Sequence, residues 1–444
     1  MPPHRLDPPV ALVPDIRIEY ATDVAPEAVS MALNPITLEL WYICFNGDVY
    51  SIKGIDKSSP ISTKRFSSKD HGITRLQGIA FNGSTLFLCG NEITSDNKGN
   101  IGRMVRYNAT LSEDVFTVVF TTEIYGTNKT TFDHGWNSIV ISPDKKFIFV
   151  NSGSRTDHGE IQDNDGVWPN ARDVALTAKI FRVPITTVGL LLRNNEKWLR
   201  QHGYIFADGI RNAFGLAFNH QDHLFAVVNS GDYDHPDEMF WIRQGRHYGF
   251  PWIMGGVQNP QQFPNWDAEK DPFLNEDSFA FSQGYFNPDP AFPIAPKNVK
   301  FTQGINNQGP DANNYRDSIT GSIRDTDSTD YRMTTFTPHS SPVGLTFDAL
   351  GLLPDGFRWK GFALRYSDES GSLMNPFMDT GNDLLLLDLT KDTSTNNFSM
   401  RTKRIVRNLV QPSDCLIIDD SIFILEYSEV GRGSLWKVDF TTIK

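Results

Sequence analysis

The chain has only three cysteines in 444 residues, Cys44, Cys89 and Cys415, each set inside an apolar run. So few and so scattered, they exclude a disulfide framework and a thiolate zinc site, and they read as buried core thiols. Runs of basic residues are missing too. Lys and Arg total 41 against 53 Asp and Glu, a net charge of −12, and basic residues cluster no further than pairs such as Lys145-Lys146. Nucleic acid and anionic membrane surfaces need clustered positive charge, so neither is an expected partner, whereas a small molecule is. No stretch approaches the ~18–20 uninterrupted apolar residues of a membrane span. Met1-Pro2-Pro3-His4 does not resemble a signal peptide, so export would require a leader removed ahead of Met1. Sequons at Asn82, Asn108, Asn128 and Asn397 are expected on loops or strand ends and lean mildly toward a secreted glycoprotein.

What the chain does have is apolar and aromatic residues. Hydrophobic residues make up 39% and charged residues 21%, with 31 Phe, which supplies a core and rules out general disorder. Length alone allows two or three domains, but a sixfold recurrence favours one. A short apolar strand, a turn, a second apolar strand and a third recur at 30–52, 77–107, 137–183, 215–242, 343–387 and 415–438. Turn formers such as Ser142-Pro143-Asp144 separate the strands. Strand triplets repeated this way predict an all-β fold, a single-domain six-bladed propeller over residues 1–444. Residues 15–20 alternate strictly and have no partner nearby, so they are expected to form the outer strand of the last blade and close the ring. Residues 253–332 break the pattern with turn formers and aromatics, among them Phe263, Trp266, Phe273, Phe279 and Phe292. They read as a packed lid over the central pocket that encloses an apolar ligand and can be deleted without unfolding the propeller.

Two motifs carry candidate chemistry. Gly209-Ile210-Arg211-Asn212-Ala213-Phe214-Gly215 leads into an apolar strand, then come the acidic loop 229–238 and Gly245-Arg246-His247-Tyr248-Gly249-Phe250-Pro251. Earlier, Asp133-His134-Gly135-Trp136-Asn137 opens a strand that ends at Pro143-Asp144. A histidine beside a carboxylate at a strand mouth is expected to titrate near neutrality and suits a base or a hydrogen-bond donor. Trp136 reads either as core or as a stacking wall for a planar ligand. Together these motifs resemble the soluble glucose/sorbosone dehydrogenase family, propellers that bind pyrroloquinoline quinone (PQQ) and calcium. The resemblance implies that His134 is a general base with Asp133 in place beside it, and that Arg211 and Asn212 hold the quinone. It also implies Gly231, Asp232 and Tyr233 at the calcium position, where Asp234, Asp237 and Glu238 add oxygens or merely form a solvated turn. The alternative for Arg211 is a salt bridge to the acidic loop 232–238.

The chain also departs from the family. Trp136 and Asn137 stand where the family has a glycine pair, and the lysine and arginine pair that neutralise the quinone are replaced by Leu364-Arg365-Tyr366-Ser367-Asp368-Glu369 and Val410-Gln411-Pro412-Ser413-Asp414. Only Arg365 is left to compensate. Buried carboxylates without cations cost several kcal/mol each, so the quinone site reads as degenerate and no cofactor as required. Pro338-His339-Ser340-Ser341-Pro342-Val343-Gly344-Leu345 resembles the H-S-x-P-x-G-L segment of the sorbosone branch and brings His339 to the same mouth. The catalytic expectation is therefore His134, Arg211 and His339 converging from three blades, with Asp133, Trp136, Asn212, Arg365 and Tyr366 binding substrate. The scaffold then resembles the hetero-Diels-Alderases of fungal tropolone sesquiterpenoid pathways, where orientation alone can supply roughly 7–11 kcal/mol of a cyclisation barrier. Two alternatives stay open: a PQQ- and calcium-dependent aldose dehydrogenase, and a non-enzymatic propeller that binds a protein or a sugar.

Overall fold

The computed structural model describes residues 7–108, 115–128, 130–328, 333–367 and 373–440. Each of the six repeats forms an antiparallel blade, and the blades follow one another around a central axis. The innermost strands, in chain order, are Ala28–Leu33, Arg75–Asn82, Trp136–Ile141, Gly215–Phe218, Pro342–Phe347 and Pro412–Ile418. Middle strands such as Leu40–Cys44, Leu224–Val228 and Gly361–Arg365 are buried along their whole length. Covered on both faces, such a strand reads as a continuous apolar run rather than as alternation.

Burial lies between blades rather than in one central core. Six apolar clusters each fill the space between two neighbouring blades, for example Phe87, Trp136 and Phe181 between blades 2 and 3, and Leu364, Ile424 and Trp436 between blades 5 and 6. All three cysteines are free thiols buried in these interfaces. The ring closes as expected: Ile16–Val24 runs antiparallel to Gly433–Phe440, pairing Ile16 with Phe440, Ile18 with Val438 and Tyr20 with Trp436. Just upstream, Val10–Ala11 pairs with the outer strand Asn397–Arg407 of blade 5, which sequence did not reveal. No helix among the described residues is long and apolar enough to cross a membrane. Asn128 lies just past the strand Tyr125–Gly126, as expected of a sequon, but it is buried and its amide nitrogen donates to the Arg155 carbonyl.

Blade 4 has only three strands, Gly215–Phe218, Leu224–Val228 and Glu238–Ile242. Its outer edge is covered by residues at the far end of the insertion and just beyond it. The Ile305 N–H donates to the Met239 carbonyl (2.8 Å), Thr335 Oγ1 accepts the Met239 N–H (2.9 Å), and the Phe336 N–H donates to the Asp237 carbonyl (2.8 Å). The insertion also contains strand structure that its sequence does not show. Ile253–Met254 pairs with Val257–Gln258, Asn314–Arg316 pairs with Ile323–Asp325, and Asn306–Pro310 adds in parallel to blade 5. The segment is thus stitched into two blades, so deleting it would remove backbone pairing from both.

Deleting residues 7–24 is expected to leave the edge of Gly433–Phe440 open, a template for intermolecular pairing. Size-exclusion chromatography and thermal melting check this. A monomeric variant that melts with the parent would show that the closing strand is dispensable.

Candidate active site

In each blade the residues just before and at the start of the inner strand lie at the propeller mouth. Blades 2 and 3 build most of a small pocket there, of about 200 Å³, whose lining includes Arg75, Gln77, Asn91, Asn100, Asp133 and His134. Phe45 and Phe214 complete its apolar side. His134 Nδ1 lies 3.0 Å from the Ser154 carbonyl oxygen. A carbonyl only accepts, so the ring proton sits on Nδ1 and Nε2 presents a lone pair. Burial, reinforced by the Arg211 charge, pulls the His134 imidazole down to about 3. It is therefore a neutral acceptor, not the near-neutral titrating group or donor expected from sequence.

Asp133 has the opposite shift. Burial raises its carboxyl to about 6 against the opposing charges of Arg155 and Arg75. Its Oδ2 accepts the Asn128 N–H (3.2 Å), while Oδ1 is buried without a protein partner. Asn91 fixes the pocket wall: its amide nitrogen donates to Gln77 Oε1 (3.1 Å) and the Trp136 carbonyl (2.9 Å), and its oxygen accepts from Asn100 (2.8 Å) and the Trp136 N–H (2.9 Å). Asn100 Oδ1 is again buried and unpartnered. Two buried acceptors without a protein partner, Asp133 Oδ1 and Asn100 Oδ1, thus belong to residues that share a lining with His134 and one cation, Arg75. Buried acceptors left unpaired cost about 1–3 kcal/mol each, and a ligand carrying several hydroxyls would relieve that cost.

The other expected site residues lie elsewhere. Arg211 is almost fully buried and spends its guanidinium on the Asp157 carbonyl (2.8 Å), Asp157 Oδ1 (3.0 Å) and the Asn229 carbonyl (3.2 Å). Its carboxylate partner is therefore Asp157, not the acidic loop 232–238. Asn212 Oδ1 is taken by Asn137 (2.9 Å) and Asn151 (3.1 Å). The Trp136 indole is fully buried against Phe120 and Phe181, so it is core between blades 2 and 3 rather than a stacking wall. Arg365 is fully buried and forked onto Asp379 (2.7 and 2.9 Å) and Asp383 (3.0 and 2.6 Å), leaving nothing for a ligand. Tyr366 does not line the His134 pocket, and Asp368 and Glu369 fall outside the described residues.

His339 sits in the left-handed region at φ +61° and binds Asp234 Oδ1 through Nε2 (2.7 Å). Burial opposes its protonation, but the Asp234 hydrogen bond and charge outweigh it and raise its value. Arg316 of the insertion pairs with the other Asp234 oxygen. The insertion clamps the loop around Tyr233: Ala280 N–H donates to Asp232 Oδ2 (2.8 Å), the Tyr233 hydroxyl donates to Asp271 (2.9 Å), and Phe273 stacks on Tyr233. The insertion's aromatics pack on these loops and on Phe132, and none of them lines the His134 pocket. Arg211 lies near enough to His134 to act on its charge, but Arg211 and His339 are each spent on a buried carboxylate and neither lines the His134 pocket. Gly231, Asp232 and Tyr233 lie under this clamp, and no group of three or more His, Cys, Asp or Glu among the described residues is placed to hold a metal.

Residues 81–291 match the family model described as Glucose / Sorbosone dehydrogenase. That stretch is just under half of the chain, and the fold around it is a six-bladed propeller. Among solved structures it is similar to the apo form of the soluble aldose sugar dehydrogenase from Escherichia coli, at 15% identity over 96% of this chain and 99% of that one, with a TM-score of 0.55. It is also similar to the holo form of the PQQ domain of pyranose dehydrogenase from Coprinopsis cinerea (11%, 98% of each chain, 0.56). A third is the PQQ-bound aldose sugar dehydrogenase from Streptomyces coelicolor (14%, 97% and 99%, 0.52). At these identities the likeness is one of fold. A comparison with curated protein sequences gives no match.

The mouth leaves few cations free for a tricarboxylate quinone. Arg211 and Arg365 are saturated by protein carboxylates, and Arg75 is the one cation lining the His134 pocket, where it faces Asp133. Sequence reading missed Arg75, Gln77, Asn91 and Asn100. A positional signal was present, since Arg75 begins the inner strand of blade 2 much as Asp133-His134 precedes that of blade 3.

Two outcomes follow. A carboxyl raised from 3.8 to about 6 is protonated in the fold and destabilises it on ionising, so stability should fall as pH rises from 4 to 7. Relative to Asp133→Asn, the parent should lose up to about 3 kcal/mol over that range, read from denaturant midpoints; a constant difference would mean an ordinary carboxyl. Asp234→Asn weakens an acceptor shared by His339 and Arg316, and is expected to cost about 3–5 kcal/mol and speed proteolysis within residues 253–328. Parent-like proteolysis would show that the insertion is anchored elsewhere.

Proposed function

We propose that this protein is a cofactor-independent enzyme that takes a small, hydroxyl-bearing organic molecule into the His134 pocket and promotes its cyclisation. A hetero-Diels-Alder cycloaddition is the specific form considered. The observation that carries the reading is the pair of unpartnered buried acceptors, Asp133 Oδ1 and Asn100 Oδ1, beside His134 and a single cation. His134 Nε2 accepts a hydrogen bond from a substrate hydroxyl and orients it, and Arg75 faces the oxygen that gains negative charge as the ring closes. Cyclisation is redox-neutral, so no oxidant is consumed. A lost oxyanion contact costs about 10²–10³ in rate. The pocket volume is below the ~300–1,000 Å³ usual for drug-sized ligands, which fits a substrate of one or two rings.

A second reading is supported by the family match: PQQ- and calcium-dependent oxidation of an aldose. The saturated Arg211 and Arg365 argue against it. One experiment separates the two. Purified protein is mixed with PQQ and calcium, its absorbance spectrum is followed, and dye-linked glucose oxidation is assayed; neither uptake nor oxidation is expected. Stoichiometric uptake with glucose-dependent reduction would restore the dehydrogenase. In a cofactor-free screen of hydroxylated cyclisation precursors, His134→Ala and Arg75→Ala should each lower turnover by about 10²–10³. Parent-like rates in both variants would remove the pocket from the chemistry.

A further inference from the structure

A second cavity, at the side of the ring, lies away from His134. It has a volume of about 480 Å³ and is walled by the edges of blade 3, by the Gly245 to Pro251 motif and by the insertion around Pro293 to Val299. That volume is within the range of small-molecule sites and more than twice that of the His134 pocket. Its charges are balanced. Arg172, Lys179 and Arg200 face Asp173, Glu196 and Asp208. They are also mutually paired: Arg200 binds Glu196 (2.5 Å) and Asp208 (2.7 Å), Lys179 lies 3.5 Å from Glu196 and 3.9 Å from Asp208, and Arg172 binds Asp289 (2.6 Å). An ionic ligand would have to break these pairs, whereas a neutral one can bond to their remaining lone pairs and N–H groups.

The other wall is aromatic. Trp252 is half-buried, and its indole is fixed by a hydrogen bond from Nε1 to the Pro293 carbonyl (2.7 Å) and by stacking on Phe301. Between the two walls stands His247. Its Nδ1 accepts the Gly249 N–H (3.1 Å), so the ring proton is on Nε2, which has no partner among the described residues. Burial holds this imidazole neutral, down at about 4. A fixed aromatic ring opposite a bank of paired carboxylate, guanidinium and ammonium groups, with a neutral imidazole donor between them, is suited to a ligand that is apolar on one face and hydroxylated at its edge.

From this we infer that the cleft between Trp252 and the Lys179–Asp208–Arg200 cluster binds a neutral oligosaccharide, with a sugar ring on the indole and its hydroxyls on the ion pairs and His247. The site is separate from the His134 pocket and does not depend on the chemistry there.

The test is isothermal titration of the intact protein with maltotriose, cellotriose and xylotriose, and with inorganic phosphate as an ionic control. At least one trisaccharide is expected to bind with a dissociation constant of about 10 µM–10 mM. Affinity should fall at least ~10-fold in Trp252→Ala and in Glu196→Gln, the latter a half-exposed position where misfolding does not confuse the result, and should be unchanged in His134→Ala. Binding by none of the three sugars would overturn the proposal. So would binding that survives both cleft variants, binding abolished by His134→Ala, or phosphate binding that displaces the sugar.

Discussion

Everything in this molecule rests on apolar faces being covered by the next blade around. No blade has a core of its own. Each apolar cluster belongs to two neighbours, so a gap anywhere exposes the faces on both sides of it. Ring closure by Ile16–Val24 is therefore the condition under which the other five interfaces become worth forming, and it ties the chain's two ends into one sheet. Contacts this distant in sequence are slow to form, which places the closing strand late in folding.

The same geometry explains where chemistry is available. The inner strands deliver their first residues to a shared mouth, and in blades 2 and 3 these remain polar and accessible as Arg75, Asp133 and His134. Under the insertion they do not. There Arg211, Asp157, Asp234 and His339 are spent on one another, because buried charges must be paired or neutralised. Half of the mouth has thus become structural, and the open half carries the functional reading.

The fold was legible because its signal is local. Apolar runs such as Leu224–Val228, separated by turn formers, repeat often enough to give blade number, and the alternation of residues 15–20 reveals a strand in need of a partner. The site was only half legible. Asp133 and His134 stand at the pocket because a strand places them there, but what saturates Arg211 is Asp157, on a loop that no motif marked. His134 was expected near neutrality from residue type, and burial beside Arg211 decides otherwise. Partner identity and desolvation are tertiary quantities, and residue spacing does not encode them.

The three-stranded blade carries a further consequence. An outer strand with free N–H and carbonyl groups invites a strand from another molecule, and Glu238–Ile242 is such an edge. Ile305 and Thr335 occupy backbone groups of Met239, while Arg243 and Lys391 lie over the ring of Trp241 on the same strand. The long insertion thus covers a strand margin as well as clamping the loop around Tyr233. A shortened chain would bare that margin, and an open strand edge is a template for pairing with another molecule.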